Sequence, residues 1–288
     1  MLKKFKKLLF ENNLDGYMVP KNDEYFSEYS FQNRLFKISK FSGSAGFAIL
    51  MKKKNYLFVD GRYTLQAKKE SGKHFKIIEI PKLFPFNLFK NNTLRIRIGF
   101  DPKLFTNRML QGYFKNTCEL VPIIDNLVDE IYPKNQYEKI SYFYNIKKEF
   151  SGESLDSKTG RLCRILKKSR IDNIFISAPE NIAWLLNLRG NDNPNSPIPN
   201  SKGIITKNKQ IYIFTNLSKT KNIRKMKIYK KINFLDESKI YFIIKNLKGK
   251  NFGIDSLTCS VFFEHLIKSK FIISNFFDPC YQLKSIKN

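Results

Sequence analysis

The sequence predicts an α/β fold built twice: two tandem, related domains, each a mixed sheet flanked by helices. Three observations support this. Short apolar, β-prone runs alternate with helical stretches whose apolar residues fall on one face. Each half contains a strand hairpin, so its sheet cannot be purely parallel. Four segments of the first half also recur, in the same order, in the second. LDGYMVP (Leu14–Pro20) is echoed by IDNIFIS (Ile171–Ser177), and GFAIL (Gly46–Leu50) by GIITK (Gly203–Lys207). YLFVD (Tyr56–Asp60) is echoed by IYIFT (Ile211–Thr215), and GFDP (Gly99–Pro102) by GIDS (Gly253–Ser256). The separations are 157, 157, 155 and 154 residues, the slow drift that small deletions produce in a duplicated unit.

Within each copy the elements follow one plan. An amphipathic helix comes first, over Met1–Asn12 with Leu2, Phe5, Leu8 and Leu9 on one face. Its counterpart runs over Ser157–Ser169, with Leu162, Ile165 and Leu166 aligned. An apolar strand follows, at Gly16–Val19 or Asn173–Ile176. A turn then opens a second helix. In the second copy this turn reads Ser177-Ala-Pro-Glu180, with capping-box spacing: the Ser177 oxygen is placed to accept from the Glu180 amide, and proline sits in the first turn. The hairpin comes next. Last is a strand ending in Asp101 or Asp255, each expected to cap the helix after it. Pro133 and many polar residues mark Tyr132–Tyr144 as the linker, giving domains over 1–135 and 136–288.

Composition narrows the function. Apolar residues make up 42% of the chain, which suits a packed soluble protein. No apolar run has membrane-spanning length, and Leu8–Phe10 is too short for a signal-peptide core, so a cytoplasmic protein without membrane attachment is expected. The net charge of +27 invites a nucleic-acid partner. The lysines, however, spread along the whole chain together with abundant asparagine, isoleucine and phenylalanine, as AT-rich coding produces. Cys118, Cys163, Cys259 and Cys280 form no CxxC pair, and His74 and His265 stand alone. Buried thiols are therefore expected, and no metal site.

Three motifs are candidates for chemistry. FSGSAGFAIL (Phe41–Leu50) is glycine-rich, but a β-prone run follows it where a phosphate loop needs a helix. It reads as a tight turn feeding a strand, and Ser44 lacks the context of a nucleophile. LFVDGRYTLQAKKE (Leu57–Glu70) reads as a strand, an Asp-Gly turn and a helix start. Its Arg62 either pairs with a surface carboxylate or reaches toward a bound carboxylate or peptide carbonyl. LRGNDNPNSPIP (Leu188–Pro199) holds Arg189, Asp192 and three prolines, a preorganised loop suited to docking or to a rigid connection. Trp184, just before it, is expected in the core.

FSGSAGFAIL, LFVDGRYTLQA, ENIAWLLNLRGNDNPNSPIPN and PCYQLKSIKN resemble the cytosolic-type Xaa-Pro aminopeptidases (aminopeptidase P) of the creatinase/prolidase-like metallopeptidases. The resemblance implies two related, ribonuclease H-like α/β domains of the creatinase N-terminal type. It also implies a third, pita-bread catalytic domain, entered through Leu283–Asn288 and absent from this sequence. The two divalent metal ions of such enzymes, manganese expected, are held in that third domain by two aspartates, a histidine and two glutamates. No catalytic residue or metal ligand is therefore assigned here. In the family the metals activate water against the bond before a penultimate proline, while the N-terminal domains gate the entrance and contribute to oligomers. By this resemblance Arg62 matches a first-domain arginine that approaches the substrate, and Arg189 and Asp192 lie near the substrate channel. The chain is expected to be inactive alone and to pair with itself or with a catalytic domain. The alternatives are a non-catalytic regulatory module acting on a separate catalytic chain and, behind it, a basic nucleic-acid-binding protein.

Overall fold

The structure, a computed structural model, describes residues 2–27, 29, 32–90, 95–133 and 141–286. The chain divides into two compact units, Met1–Tyr137 and Glu138–Asn288. In the first unit the strands are β1 (Gly16–Pro20), β2 (Gly46–Met51), β3 (Asn55–Asp60), β4 (Phe75–Ile80), β5 (Arg97–Phe100) and β6 (Glu119–Pro122). They form one sheet in the order β4-β3-β2-β1-β5-β6. Only β2 runs against its neighbours; every other pairing is parallel.

In the second unit a small ribbon pairs β7 (Tyr144–Asn145) with β9 (Leu188–Arg189). The sheet strands are β8 (Asn173–Ile176), β10 (Lys202–Thr206), β11 (Ile211–Phe214), β12 (Ile232–Leu235), β13 (Asn251–Ile254) and β14 (Ile272–Asn275). Their order, β12-β11-β10-β8-β13-β14, repeats the first sheet strand for strand, with β10 reversed as β2 is. Every residue of β1, β8 and β10 is buried, as expected for central strands covered on both faces. Helix Leu2–Glu11 lays Phe5 and Leu9 against Tyr17 and Val19. Helix Leu155–Lys168 lays Leu162 and Leu166 against Ile174, Ile176 and Ile205.

The duplication extends to polar contacts. Asp15 accepts from Lys52 Nζ at 3.0 Å and from the Arg97 amide at 3.0 Å. Asp172 accepts from Lys207 Nζ at 2.7 Å and from the amides of Lys250 and Asn251 at 2.7 and 2.9 Å. Each aspartate thereby ties the entry of the first strand to the hairpin and to the neighbouring parallel strand.

Several local expectations are corrected. The capping box at Ser177 does not form, because helix Pro179–Leu185 starts one residue later, from Ala178. Ser177 Oγ instead meets Thr258 Oγ1 at 2.8 Å, and Glu180 accepts from the Tyr281 hydroxyl at 2.8 Å. Nor do Asp101 and Asp255 cap the helices that come after them. The chain first makes a turn, and helices Asn107–Phe114 and Val261–Lys268 begin after Thr106 and Ser260. The aspartates accept from Lys103 N and Leu257 N within those turns, both at 2.9 Å. Of the linker expected over Tyr132–Tyr144, residues 134–140 lie outside the described set, Phe143 is buried and Tyr144 begins β7. Leu283–Ser285 ends helix Pro279–Ser285.

The Lys207 bond and the two backbone amides hold the Asp172 carboxyl down at about 2. Its unfolded value is about 3.9, so the stabilisation is complete above about pH 4 and is lost as pH falls toward 2. Asp172→Asn is expected to lower urea-unfolding stability at neutral pH by about 1–2 kcal/mol, allowing for solvent screening of a partly exposed pair. The difference between variant and parent should close at acidic pH; a constant gap down to pH about 2 would contradict the assignment.

Candidate functional site

Strands β1, β3 and β4 run parallel and end on the same side of the first sheet, where β2 begins. A cleft of about 360 Å³ opens there, lined among others by Lys21, Asn22, Ser44, Asp60, Pro81 and Tyr113. The FSGSAGF turn forms one wall. A Cβ on Gly46 would lie 2.7 Å from the Phe58 carbonyl oxygen, and one on Gly43 would lie 2.2 Å from the Phe41 ring. The glycines therefore serve close approach, and a strand follows the turn as the sequence predicts. Ser44 Oγ bonds the Tyr63 hydroxyl at 2.8 Å.

Arg62 comes two residues after Asp60, which lines the cleft, on the 3-10 turn Gly61–Tyr63 after β3. Asp60 accepts from both the Arg62 amide and Arg62 Nε at 2.9 Å. That pairing holds the Asp60 carboxyl below the usual carboxylate range. The Asp-Gly turn is thus capped by its own aspartate, which also orients the guanidinium beside the Tyr63 ring, 5.6 Å from its centroid. The arginine side chain remains 75% exposed while paired with Asp60, the surface carboxylate pair the sequence allows.

The Arg189–Asp192 loop of the second unit is held inward. Arg189, half-buried in β9, donates from Nη1 to the carbonyls of Leu188 and Ala183 at 2.8 and 3.2 Å. Asp192 accepts from Lys219 Nζ and from the Asn200 amide, both at 2.7 Å, and its side chain is only 3% exposed. The Gly190 amide reaches the Pro197 carbonyl at 3.2 Å, closing the loop on itself. The fold therefore brings Arg189 and Asp192 together on one braced loop, while Arg62 belongs to the first unit.

Lys158 and Lys219 are the groups that sequence reasoning missed here. Lys158 is buried, donates to the Trp184 carbonyl at 3.0 Å and to Asn187 Oδ1 at 2.6 Å, and lies 4.6 Å from the Trp184 ring centroid. Burial pulls its ammonium down to about 8, with Glu153 opposing and Arg189 assisting. The available signal was a lysine on the core face of a helix, between Leu155 and Leu162. Trp184 packs on the core only partly buried, with Lys158 against it.

A larger cleft of about 560 Å³ lies at the amino ends of β8 and β13, lined by Asp172, Asn173, Tyr212 and Lys248 among others. Sheets of this kind take ligands at the carboxyl ends of their parallel strands, which favours the smaller cleft beside Asp60. Among the described residues no three His, Cys, Asp or Glu side chains converge, so the donor set of a metal centre does not fit these residues. All four cysteines are buried.

Removing Lys219 would leave the buried Asp192 carboxylate without its cation. Lys219→Met is expected to cost about 3 kcal/mol in urea unfolding, and the double variant Asp192→Asn/Lys219→Met, measured with the single Asp192→Asn, to recover at least about half of that. Purely additive effects in this cycle would show that the pair does not brace the loop.

Residues 1–131 and 134–288 match two family models, both described as Creatinase/Prolidase N-terminal domain. The chain is 31% identical over 217 residues to a probable Xaa-Pro aminopeptidase P of Laccaria bicolor, covering 71% of this chain and 34% of that protein. It is 32% identical over 218 residues to the Xaa-Pro aminopeptidase ApepP of Drosophila melanogaster, covering 72% and 35%. The crystal structure of X-prolyl aminopeptidase from Caenorhabditis elegans, described as a cytosolic enzyme with a di-nuclear active site, matches with a TM-score of 0.88 at 22% identity. That match covers 100% of this chain and 51% of the other, and shows a shared fold. The chain spans about a third of the length of the curated relatives it matches. With both halves accounted for by the same kind of domain, the chain belongs to the creatinase/prolidase N-terminal domain family.

Proposed function

We propose that the chain acts as the substrate-gating, amino-terminal part of a metal-dependent Xaa-Pro aminopeptidase, inactive by itself. The observation that carries this reading is the pair of tandem domains, matched in order, with an exposed Arg62 paired to Asp60, which lines the first domain's cleft. Arg62 would donate to a carbonyl or terminal carboxylate of a short peptide, for which the guanidinium offers paired N–H groups. Arg189 supplies a second cation on a loop of fixed shape, and Asp192 acts by positioning that loop. The two divalent ions, expected to be manganese, belong to residues outside those described. When bound they lower the pKa of water and polarise the scissile carbonyl. No helix among the described residues is long and apolar enough to cross a membrane, and the cytosolic relative supports a cytoplasmic setting.

The purified chain supplied with manganese is expected to release no amino-terminal residue from an Xaa-Pro tripeptide. Cleavage abolished by a chelator would overturn the inactive reading. Activity appearing only when a separately produced catalytic chain is added would select the regulatory-module alternative. In an active assembly containing this chain, Arg62→Ala is expected to raise KM for a tripeptide about tenfold, the loss of one charge-assisted hydrogen bond, with kcat little changed. Unchanged KM would remove Arg62 from the substrate site.

A further inference from the structure

We infer that the segment Lys221–Lys231 of the second unit is a docking surface for an anionic lipid surface. Its sequence, KNIRKMKIYKK, places Lys221, Arg224, Lys225, Lys227, Lys230 and Lys231 within eleven residues, with no acidic residue among them. All six are exposed, and none of their side chains makes a hydrogen bond or ion pair among the described residues. Elsewhere in the same unit several lysines are neutralised in pairs: Lys207 with Asp172, Lys209 with Asp156, Lys219 with Asp192 and Lys202 with Glu237. The segment is therefore a dense, unbalanced patch beside paired charge.

The patch is also held in shape. It runs through the 3-10 turns Ile223–Lys225 and Lys227–Tyr229, closed by bonds from Met226 N to Ile223 O and from Tyr229 N to Met226 O, both 3.0 Å. Ile223 and Tyr229 are buried in the core. The Tyr229 hydroxyl donates to the Leu186 carbonyl at 3.0 Å and accepts from Asn145 Nδ2 at 2.7 Å. With two side chains anchored inward, the backbone carrying the cations is already ordered before a surface is met.

Two further observations select the kind of anion. Met226 and Ile228 point outward among the cations, 38% and 51% exposed. Aliphatic groups interleaved with lysines suit the headgroup region of an anionic bilayer, where cations meet phosphate and short apolar chains enter the acyl boundary. A single-stranded nucleic acid would call instead for exposed rings on which bases stack. The only ring in the segment, Tyr229, is buried. Protection of the sheet edge does not account for the cluster either, since the edge strand β12 carries no charged residue and the cations precede it.

The test is vesicle co-sedimentation of the whole chain, with phosphatidylcholine vesicles containing about a third phosphatidylserine against phosphatidylcholine alone, at about 0.1 M salt. Binding only to the anionic vesicles is expected, falling as salt rises. The triple variant Lys225→Glu, Lys227→Glu, Lys230→Glu should bind at least about tenfold more weakly, since each cation near such a surface strengthens binding about fivefold. The control Lys167→Glu, Lys168→Glu, Lys268→Glu makes the same charge change on exposed lysines elsewhere in the unit and should stay within about twofold of the parent. Met226→Ser/Ile228→Ser should weaken binding while leaving its salt dependence in place. Equal losses in both triple variants would reduce the effect to net charge and overturn the proposal. Displacement from vesicles by a single-stranded oligonucleotide whose own binding ignores Met226→Ser/Ile228→Ser would overturn it in favour of nucleic acid.

Discussion

Each unit depends on a carboxylate buried at the end of the strand beside its central one. Asp101 follows β5 and Asp255 follows β13, and both are nearly inaccessible. Such a group is costly unless every oxygen finds a donor. Asp101 takes the Lys103 amide on one oxygen and Asn126 Nδ2 at 2.9 Å on the other, while Asn126 itself caps helix Leu127–Ile131. Asp255 takes the Leu257 amide and the Asp278 amide, and Asp278 caps helix Pro279–Ser285. Burial pushes the Asp101 carboxyl upward against those bonds, so the arrangement stands only while the donors stay in place. One carboxylate thus sets the turn after its strand and the starting point of the last helix.

From that point the two copies diverge. In the first unit the last helix is gripped by Arg34, whose Nε and Nη2 bond Asp129 at 2.9 and 2.8 Å while Nη2 also reaches Glu24. In the second, Asn181 donates to Asp278 at 2.6 Å and accepts from Lys284 at 2.7 Å, with Ser177 and Thr258 paired nearby. A network of polar side chains therefore meets near the carboxyl end of β8. The corresponding end of β1 borders the cleft that Asp60 lines. The turn after β11 keeps the cap, with Asn216 accepting from the Ser218 amide at 3.0 Å as Asp60 accepts from that of Arg62. Beyond the cap the turns part: the first copy presents an arginine outward, and the second turns Lys219 inward to Asp192.

The difference between what the sequence showed and what it hid comes from the range of each interaction. Central strands were legible because complete burial writes itself as an unbroken apolar run, and the repeat was legible because both copies keep that run in the same order. The Asp60–Arg62 turn was legible because its partners are two residues apart. Edge strands such as β6 and β14, only partly buried, lack that signature. The Ser177 cap failed by a single residue, a distinction that the spacing of serine, proline and glutamate does not encode. The buried pairing of Asp192 with Lys219 was hidden because its partner lies 27 residues away. Lys158 could be suspected only from a charge on an apolar helix face, and its acceptors, Trp184 and Asn187, lie just before the loop it supports.

That loop also changes the meaning of its prolines. Three of them restrict the backbone, yet the ends are closed by Asp192 bonding Asn200 and Lys219, with Lys158 underneath on the Trp184 and Asn187 oxygens. Buried cations are a poor source of raw stability, since desolvation offsets much of the attraction. Their use here is better understood as selecting one loop shape, because any other shape strands a charge. Lys219 then marks a boundary. In and beneath the loop, cations meet carboxylates or carbonyls; from Lys221 to Lys231 there is no carboxylate in the segment to meet, and the chain anchors Ile223 and Tyr229 while turning every cation outward. The same composition thus yields a braced loop on one side of Lys219 and an uncompensated surface on the other, so the net charge of +27 is locally structured and not uniformly spread.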